Sequence, residues 1–253
     1  MVKSGKPAKP KGPAFFAGRV RASLADKSVR DKYAEELRRN TVTARQGFWN
    51  FRRSLRKYSI FFGVSLCDFL GRNVSIVDAI VSLRPKGQTV RLLEDGAGAA
   101  VALSELKKEI EARGVKCEAT ALGIHHKELL ADAVAKGRIN QFVVKPGELF
   151  VPKKPVDAII SVLGSIDYAL REHRKDTLLK FAYSLRRNGL LLAGFTGYPF
   201  NPRESSERSE EKMQVQFRHL EKSFVKRGFR ARVYRSEGDL TMPDWILIVQ
   251  RVK

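Results

Sequence analysis

Apolar and polar positions along this chain follow two rhythms, one of three to four residues and one close to two. Together they predict helices first and an α/β alternation afterwards. From about Leu24 to Leu70 the pattern is helical, in two or three pieces. Asp31–Asn40 is a charged amphipathic stretch bearing Tyr33 and Leu37. Within Gln46–Gly63, Phe48, Phe51, Leu55, Tyr58 and Phe62 recur at spacings of three and four and make one apolar face. A short helix is expected over Ser75–Leu83, with Ile76, Val77 and Ile80 inward. Strand Thr89–Glu94 then leads to helix Val101–Arg113, closed by Gly114 as a C-cap would be. Strand Lys116–Leu122 leads to helix Lys127–Lys136, and strand Gln141–Val144 to the loop Lys145-Pro146-Gly147-Glu148. Strand Val156–Val162 precedes a helix over Glu172–Arg187, stopped by Asn188-Gly189, and strand Leu190–Phe195 comes next. After the polar loop Thr196–Ser209 comes helix Glu210–Arg227, and Phe229–Ser236 and Trp245–Val252 read as two strands around a turn. Continuous runs such as Ala158-Ile159-Ile160 suit strands covered on both faces. This order predicts a doubly wound sheet with its ligand at the carboxyl ends of the first strands.

The 253 residues fit one large α/β domain with an appendage. We divide them into a disordered basic tail over 1–13, a helical basic extension over 14–71 and an α/β domain over 72–253. Charged residues or glycine interrupt every apolar run, so no membrane span is expected, and no secretory segment comes after Lys3–Lys11. Cys67 and Cys117 are too few for a disulfide framework and lack metal-ligand spacing, which favours a reducing cytoplasm and no metal. Charge changes the picture more. The net charge is +21, of which residues 1–60 carry +12 and the rest +9. That asymmetry predicts a polyanionic partner, with RNA favoured; the alternative is a basic surface kept for solubility. Arg45, Trp49, Arg52, Arg53 and Arg56 lie beside the aromatic stripe, where rings can stack on bases and guanidinium groups can neutralise phosphate. A core-facing helix with solvated arginines is the alternative, and Trp49 decides between the two.

Glu94-Asp95-Gly96-Ala97-Gly98-Ala99-Ala100 carries the clearest chemistry. An acidic strand end followed by Gly-x-Gly lets a ligand approach the backbone, and the opening helix offers free N–H donors. Val101 stands where a dinucleotide fingerprint needs its third small residue, which argues against NAD. A bare Gly-x-Gly also suits a plain strand-to-helix connector.

With this turn and the strands and helices after it in that order, residues 72–253 resemble the class I S-adenosylmethionine-dependent methyltransferases. Leu93-Glu94-Asp95-Gly96-Ala97-Gly98 resembles their first motif, Val156–Val162 their fourth strand, and Leu185–Leu192 their passage into the fifth strand. The closing strand pair is similar to the family's antiparallel finish. The resemblance implies a mostly parallel seven-stranded sheet with an antiparallel last strand, and S-adenosylmethionine as cofactor. It implies cofactor contacts from Glu94, Asp95, Gly96, Ala97, Gly98, Leu122, Gly123, Gly147, Glu148, Ser161 and Val162. The chain departs from the family at Gly123, where an acid for the ribose hydroxyls is usual, with Glu118 in mid-strand. Glu148 comes late in its loop, and Ala100 stands where glycine is usual.

Methyl transfer from a sulfonium is an in-line displacement, so the protein aligns the nucleophile and handles its proton. Val162-Leu163-Gly164-Ser165-Ile166-Asp167-Tyr168 lacks the Asn/Asp-Pro-Pro-aromatic motif of base-amine methyltransferases, and neither cysteine sits in a loop suited to attack. Asp167 and Tyr168 are the candidates for acceptor contact, as proton acceptor and stacking partner; a helix N-cap and a packing aromatic are the alternative roles. A set of Asp167, Lys145 and Lys180 would suit a ribose hydroxyl, although Lys180 falls within a predicted helix. His125-His126 and Tyr198–Pro202 read equally as loop residues. Three readings result: an RNA methyltransferase, a small-molecule methyltransferase with the extension as a lid, and a binding protein without turnover.

Overall fold

One sheet is built from β1 (Val90–Asp95), β2 (Cys117–Gly123), β3 (Gln141–Val144), β4 (Val156–Val162), β5 (Leu185–Phe195), β6 (Phe229–Arg235) and β7 (Trp245–Arg251). It is seen in a computed structural model that describes residues 12–45, 54–85, 87–195, 210–236 and 244–253. The strand order is β3-β2-β1-β4-β5-β7-β6. The first five strands run parallel, and β7 pairs antiparallel with both β5 and β6. The chain leaves β1 toward β2 and β3, then crosses back to place β4 on the other side of β1. A crevice opens at such a reversal, at the carboxyl ends of the strands.

Alternation along β1 assigns its two faces. Val90 and Leu92 join a core with α3 (Leu55–Leu70), α4 (Ile76–Val81) and α5 (Val101–Ala112). Leu93 joins the opposite core, with α1 (Pro13–Ser23), α8 (Arg171–Ser184) and α9 (Glu210–Val225). Glu94 and Asp95 continue this alternation toward opposite faces. The remaining helices are α2 (Lys27–Arg45), α6 (Lys127–Ala135) and the single turn α7 (Ser165–Tyr168); Gly147–Leu149 is a 3₁₀ turn. Among the described residues, no helix is long and apolar enough to cross a membrane.

Helical structure starts at Pro13, earlier than the pattern from Leu24 suggests. Pro13 suits a first helical turn, and Phe16, Ala17 and Val20 bury against α8, where Phe16 stacks on Tyr183 at 5.4 Å. Three apolar contacts in eleven residues are too sparse to show as a period. In α3, capped by Ser54, Tyr58 and Phe62 are core residues; Phe48 and Phe51 lie outside the described residues.

The Asn188-Gly189 pair does not stop a helix. α8 already ends at Ser184, and Leu185 pairs with Val156. Arg186–Gly189 then bulges out of the ladder, with Asn188 left-handed at φ 64°, before pairing resumes at Ala158–Leu190. A Cβ on Gly189 would lie 2.9 Å from the Asp157 carbonyl oxygen, so the tight bulge needs glycine. At the same amino end of β4, the buried Asp157 carboxylate meets Arg84 at 3.0 Å and Arg186 at 3.5 Å, and accepts the Arg91 N–H at 2.8 Å.

Candidate functional site

The turn after β1 sits against the turn after β4. Gly96 has φ 73°, and its N–H reaches the Leu122 carbonyl at 2.9 Å, as does that of Ala97 at 3.2 Å. A Cβ on Gly96 would stand 2.6 Å from the Gly164 Cα. Above these turns opens a cleft of about 720 Å³, within the usual size of a small-molecule site. Gly96, Ala97 and Gly98 form its floor. Gly123, His125 and His126 line the β2 side, and Gly147 and Glu148 line the β3 side. Leu163, Gly164 and Ser165 close the β4 side, and Leu37 reaches in from α2.

Two adjacent carboxylates at the end of β1 have different tasks. Glu94 accepts the Tyr58 hydroxyl of α3 at 2.6 Å, which fixes the carboxylate beneath the cleft. Asp95, on the other face, accepts the Ser161 hydroxyl at 2.7 Å, the Ser165 N–H at 2.8 Å and the Ser165 hydroxyl. Asp95 therefore clamps the turn after β4. Lys180, fully buried in α8, donates its ammonium to the Gly147 carbonyl and so holds the turn after β3.

Burial pulls the Lys180 ammonium down to about 7, against the opposing fields of Asp95 and Glu148. Burial likewise raises the Glu148 carboxyl. The Tyr33 hydroxyl of α2 lies beside Glu148 without reaching hydrogen-bond geometry; burial first, then the carboxylate, raises its pKa. Because the folded pKa of Lys180 lies below its unfolded 10.5, the unfolded chain binds more protons between about 7 and 10.5. The Lys180 contribution to stability is therefore expected to rise with pH across that window. Urea unfolding across it should show a flatter slope for Lys180→Met, and an unchanged slope would contradict a buried, destabilised ammonium.

Of the residues expected to contact a cofactor, Glu94, Asp95, Gly96, Ala97, Gly98, Gly123, Gly147 and Glu148 line the cleft. Leu122, Ser161 and Val162 are buried beneath it: Leu122 through its carbonyl, Ser161 through its bond to Asp95, Val162 in the core. Glu118 pairs with Arg91 at 2.8 Å in mid-strand, outside the cleft. Asp167 and Tyr168 lie on α7, just past Ser165; their side chains fall outside the described residues. The N-cap of α7 is Gly164, so Asp167 does not cap it. Arg56 is exposed on the first turn of α3. Arg45 ends α2 with its side chain undescribed, and Trp49, Arg52 and Arg53 lie outside the described residues. Among the described residues there is no group of three metal-ligating side chains placed to hold an ion.

Tyr33, Leu37, Tyr58 and Ser165 join the site without any local signal in the sequence. Lys180, weighed only within a ribose-hydroxyl set, does carry one, as the single charge in the run Leu178-Leu179-Lys180-Phe181-Ala182. A charge at such a position needs a buried partner.

This sheet order, the glycine turn after β1 and the cleft above it define the fold of the class I S-adenosylmethionine-dependent methyltransferases. The 1,6-didemethyltoxoflavin-N1-methyltransferase of Burkholderia thailandensis, solved with 1,6-didemethyltoxoflavin and S-adenosylhomocysteine, is similar at a TM-score of 0.50 and 14% identity. The match covers 88% of this chain and 90% of that one. A candidate class I methyltransferase from Listeria monocytogenes is similar at 0.50 and 15% identity, over 80% of this chain and 70% of that one. No protein-family model matches the chain, and no curated protein matches it in sequence.

Proposed function

We propose that this chain is an S-adenosylmethionine-dependent methyltransferase acting on RNA. The observation that carries the reading is the cleft over Gly96–Gly98, with the Glu94 carboxylate fixed by Tyr58 beneath it. An adenosyl cofactor fits its size and its open backbone, since a Cβ on Gly98 would meet nothing within 4 Å. Glu94 suits the amine of the methionine half, and Gly147-Glu148 suits the base. When bound, the cofactor supplies a methyl group on a sulfonium for in-line displacement. The chain orients the acceptor and takes its proton, and Asp167 and Tyr168, on the turn after β4, are the candidates for that role.

The preference for RNA rests on charge. α2 brings Leu37 to the cleft and exposes Lys27, Arg30, Lys32 and Arg38 on the same helix. With a net charge of +21, these exposed cations on the helix that carries Leu37 support a polyanionic acceptor. A small acceptor is the second reading, favoured by the apolar Leu37 of α2 among the residues that line the cleft.

Removing residues 1–60 would not separate these readings, because Phe16, Val20 and Tyr58 belong to the core. Charge reversal serves better. Lys32→Glu with Arg38→Glu is expected to weaken RNA binding about tenfold or more at low salt while S-adenosylhomocysteine affinity stays unchanged. Incubation with methyl-labelled S-adenosylmethionine and total RNA should place label in the RNA. Label only on small acceptors would support the second reading; product binding without transfer to either would mean a binding protein. Failure to bind S-adenosylhomocysteine would remove the methyltransferase reading.

A further inference from the structure

In nucleotide-binding α/β folds, a carboxylate at the end of β2 receives ribose hydroxyls, whereas a cation there receives a ribose phosphate. Here β2 ends at Gly123, followed by His125 and His126, and all three line the cleft. Lys145 comes directly after β3, and β3 pairs with β2 through Val144 opposite Gly123. Lys145 and Arg138 both line the cleft and are exposed, Lys145 just past the carboxyl end of β3 and Arg138 just before its amino end.

The carboxylates around the cleft have other engagements. Glu94 receives Tyr58, and Asp95 receives Ser161 and Ser165. Glu148 lies near Lys180 and Tyr33. Asp132 pairs with Lys136 at 2.9 Å and with Arg138. Histidines and a lysine thus occupy the rim where a ribose would lie, at the carboxyl ends of β2 and β3.

We propose that the β2–β3 rim of the cleft is a phosphate subsite, built from His126 and Lys145, that selects adenosine nucleotides phosphorylated on the ribose. Such a nucleotide would compete with S-adenosylmethionine for the cleft. The inference rests on the cleft taking an adenosine ligand, as in the proposed function, but not on methyl transfer.

Gly123 offers a sharp control. An added Cβ there would meet only the His125 carbonyl oxygen, at 4.0 Å, so an aspartate fits and restores a carboxylate at the end of β2. Calorimetric titration of the full chain would compare adenosine 5′-monophosphate, adenosine 2′,5′-bisphosphate, adenosine 3′,5′-bisphosphate and S-adenosylhomocysteine. At least one bisphosphate is expected to bind about tenfold more tightly than the monophosphate, as one charge-assisted contact allows. Lys145→Gln should remove most of that preference. Gly123→Asp should abolish it and tighten S-adenosylhomocysteine binding. Equal affinity for mono- and bisphosphates, or a preference that survives both substitutions, would overturn the subsite. Tight S-adenosylhomocysteine binding without a phosphate preference would sink this inference alone. Bisphosphate binding without S-adenosylhomocysteine binding would sink the methyltransferase reading and leave the subsite standing.

Discussion

Gly96→Val is expected to abolish S-adenosylhomocysteine binding and to destabilise the fold by about 3 kcal/mol or more. Two terms add. At φ 73°, a β-branched residue occupies a region costing on the order of 1–3 kcal/mol. Its Cβ would also stand 2.6 Å from the Gly164 Cα and 3.3 Å from the Gly164 nitrogen and the Leu163 oxygen. These are backbone atoms, which cannot rotate away, and overpacking of this kind costs roughly 1–3 kcal/mol more. The turn after β4 would have to move, yet Asp95 holds it through the Ser165 N–H at 2.8 Å. Strain therefore passes from the turn after β1 into the turn after β4, across the cleft. Gly98→Ala is the contrasting variant. Its backbone is also left-handed, at φ 53°, but the added Cβ meets nothing within 4 Å. It should lose affinity by narrowing the cleft, while costing only about 1–2 kcal/mol of backbone strain. Thermal unfolding and calorimetric titration on both variants separate the effects. Wild-type stability and affinity in Gly96→Val would refute the interlocked turns.

The parts of the site that are readable in the sequence are those made by neighbours along the chain. Glu94 to Gly98 is one strand end and one turn, so its residue types point directly to the stretch that lines the cleft. The order of apolar runs likewise predicts the sheet, because buried parallel strands read as continuous apolar segments. Contacts between distant segments are not readable. Tyr58 and Phe62 share a helical face, but only the fold shows that the Tyr58 hydroxyl ends on Glu94. Leu37 reaches the cleft and Tyr33 comes beside Glu148 from a helix whose exposed side is charged, and nothing local distinguishes them from ordinary packing residues. Lys180 is easily passed over because a lysine in a helix is usually solvated; its apolar neighbours are the better guide. Asn188-Gly189 shows a different limit. The pair marks a left-handed position correctly, but a helix end and a strand bulge use the same conformation.

Asp157→Ala is expected to lower stability by about 3–5 kcal/mol, the range for removing one member of a buried ion pair. Arg84, with its side chain 8% exposed, would keep its charge without this carboxylate, and the Arg91 N–H would lose its acceptor. Burial raises the Asp157 carboxyl pKa despite both nearby arginines, so desolvation outweighs attraction. The sign matters. A carboxyl whose folded pKa exceeds its unfolded value makes the folded state bind more protons in acid, so this group loses stability as pH rises through that interval. The ionised pair is therefore not a net source of stability, even though breaking it is costly. It follows that Asp157→Leu combined with Arg84→Met should recover the part of the loss that comes from the stranded Arg84 charge, while the Arg91 N–H stays without this acceptor. Urea midpoints of the two single variants and the double variant form the required cycle, and additive losses would contradict the coupling. Asp157 lies at the amino end of β4, a strand's length from Ser165. Folded Asp157→Ala should accordingly bind S-adenosylhomocysteine as the wild type does, and reduced affinity in the folded variant would show that the arginine cluster positions the cleft as well as the strand.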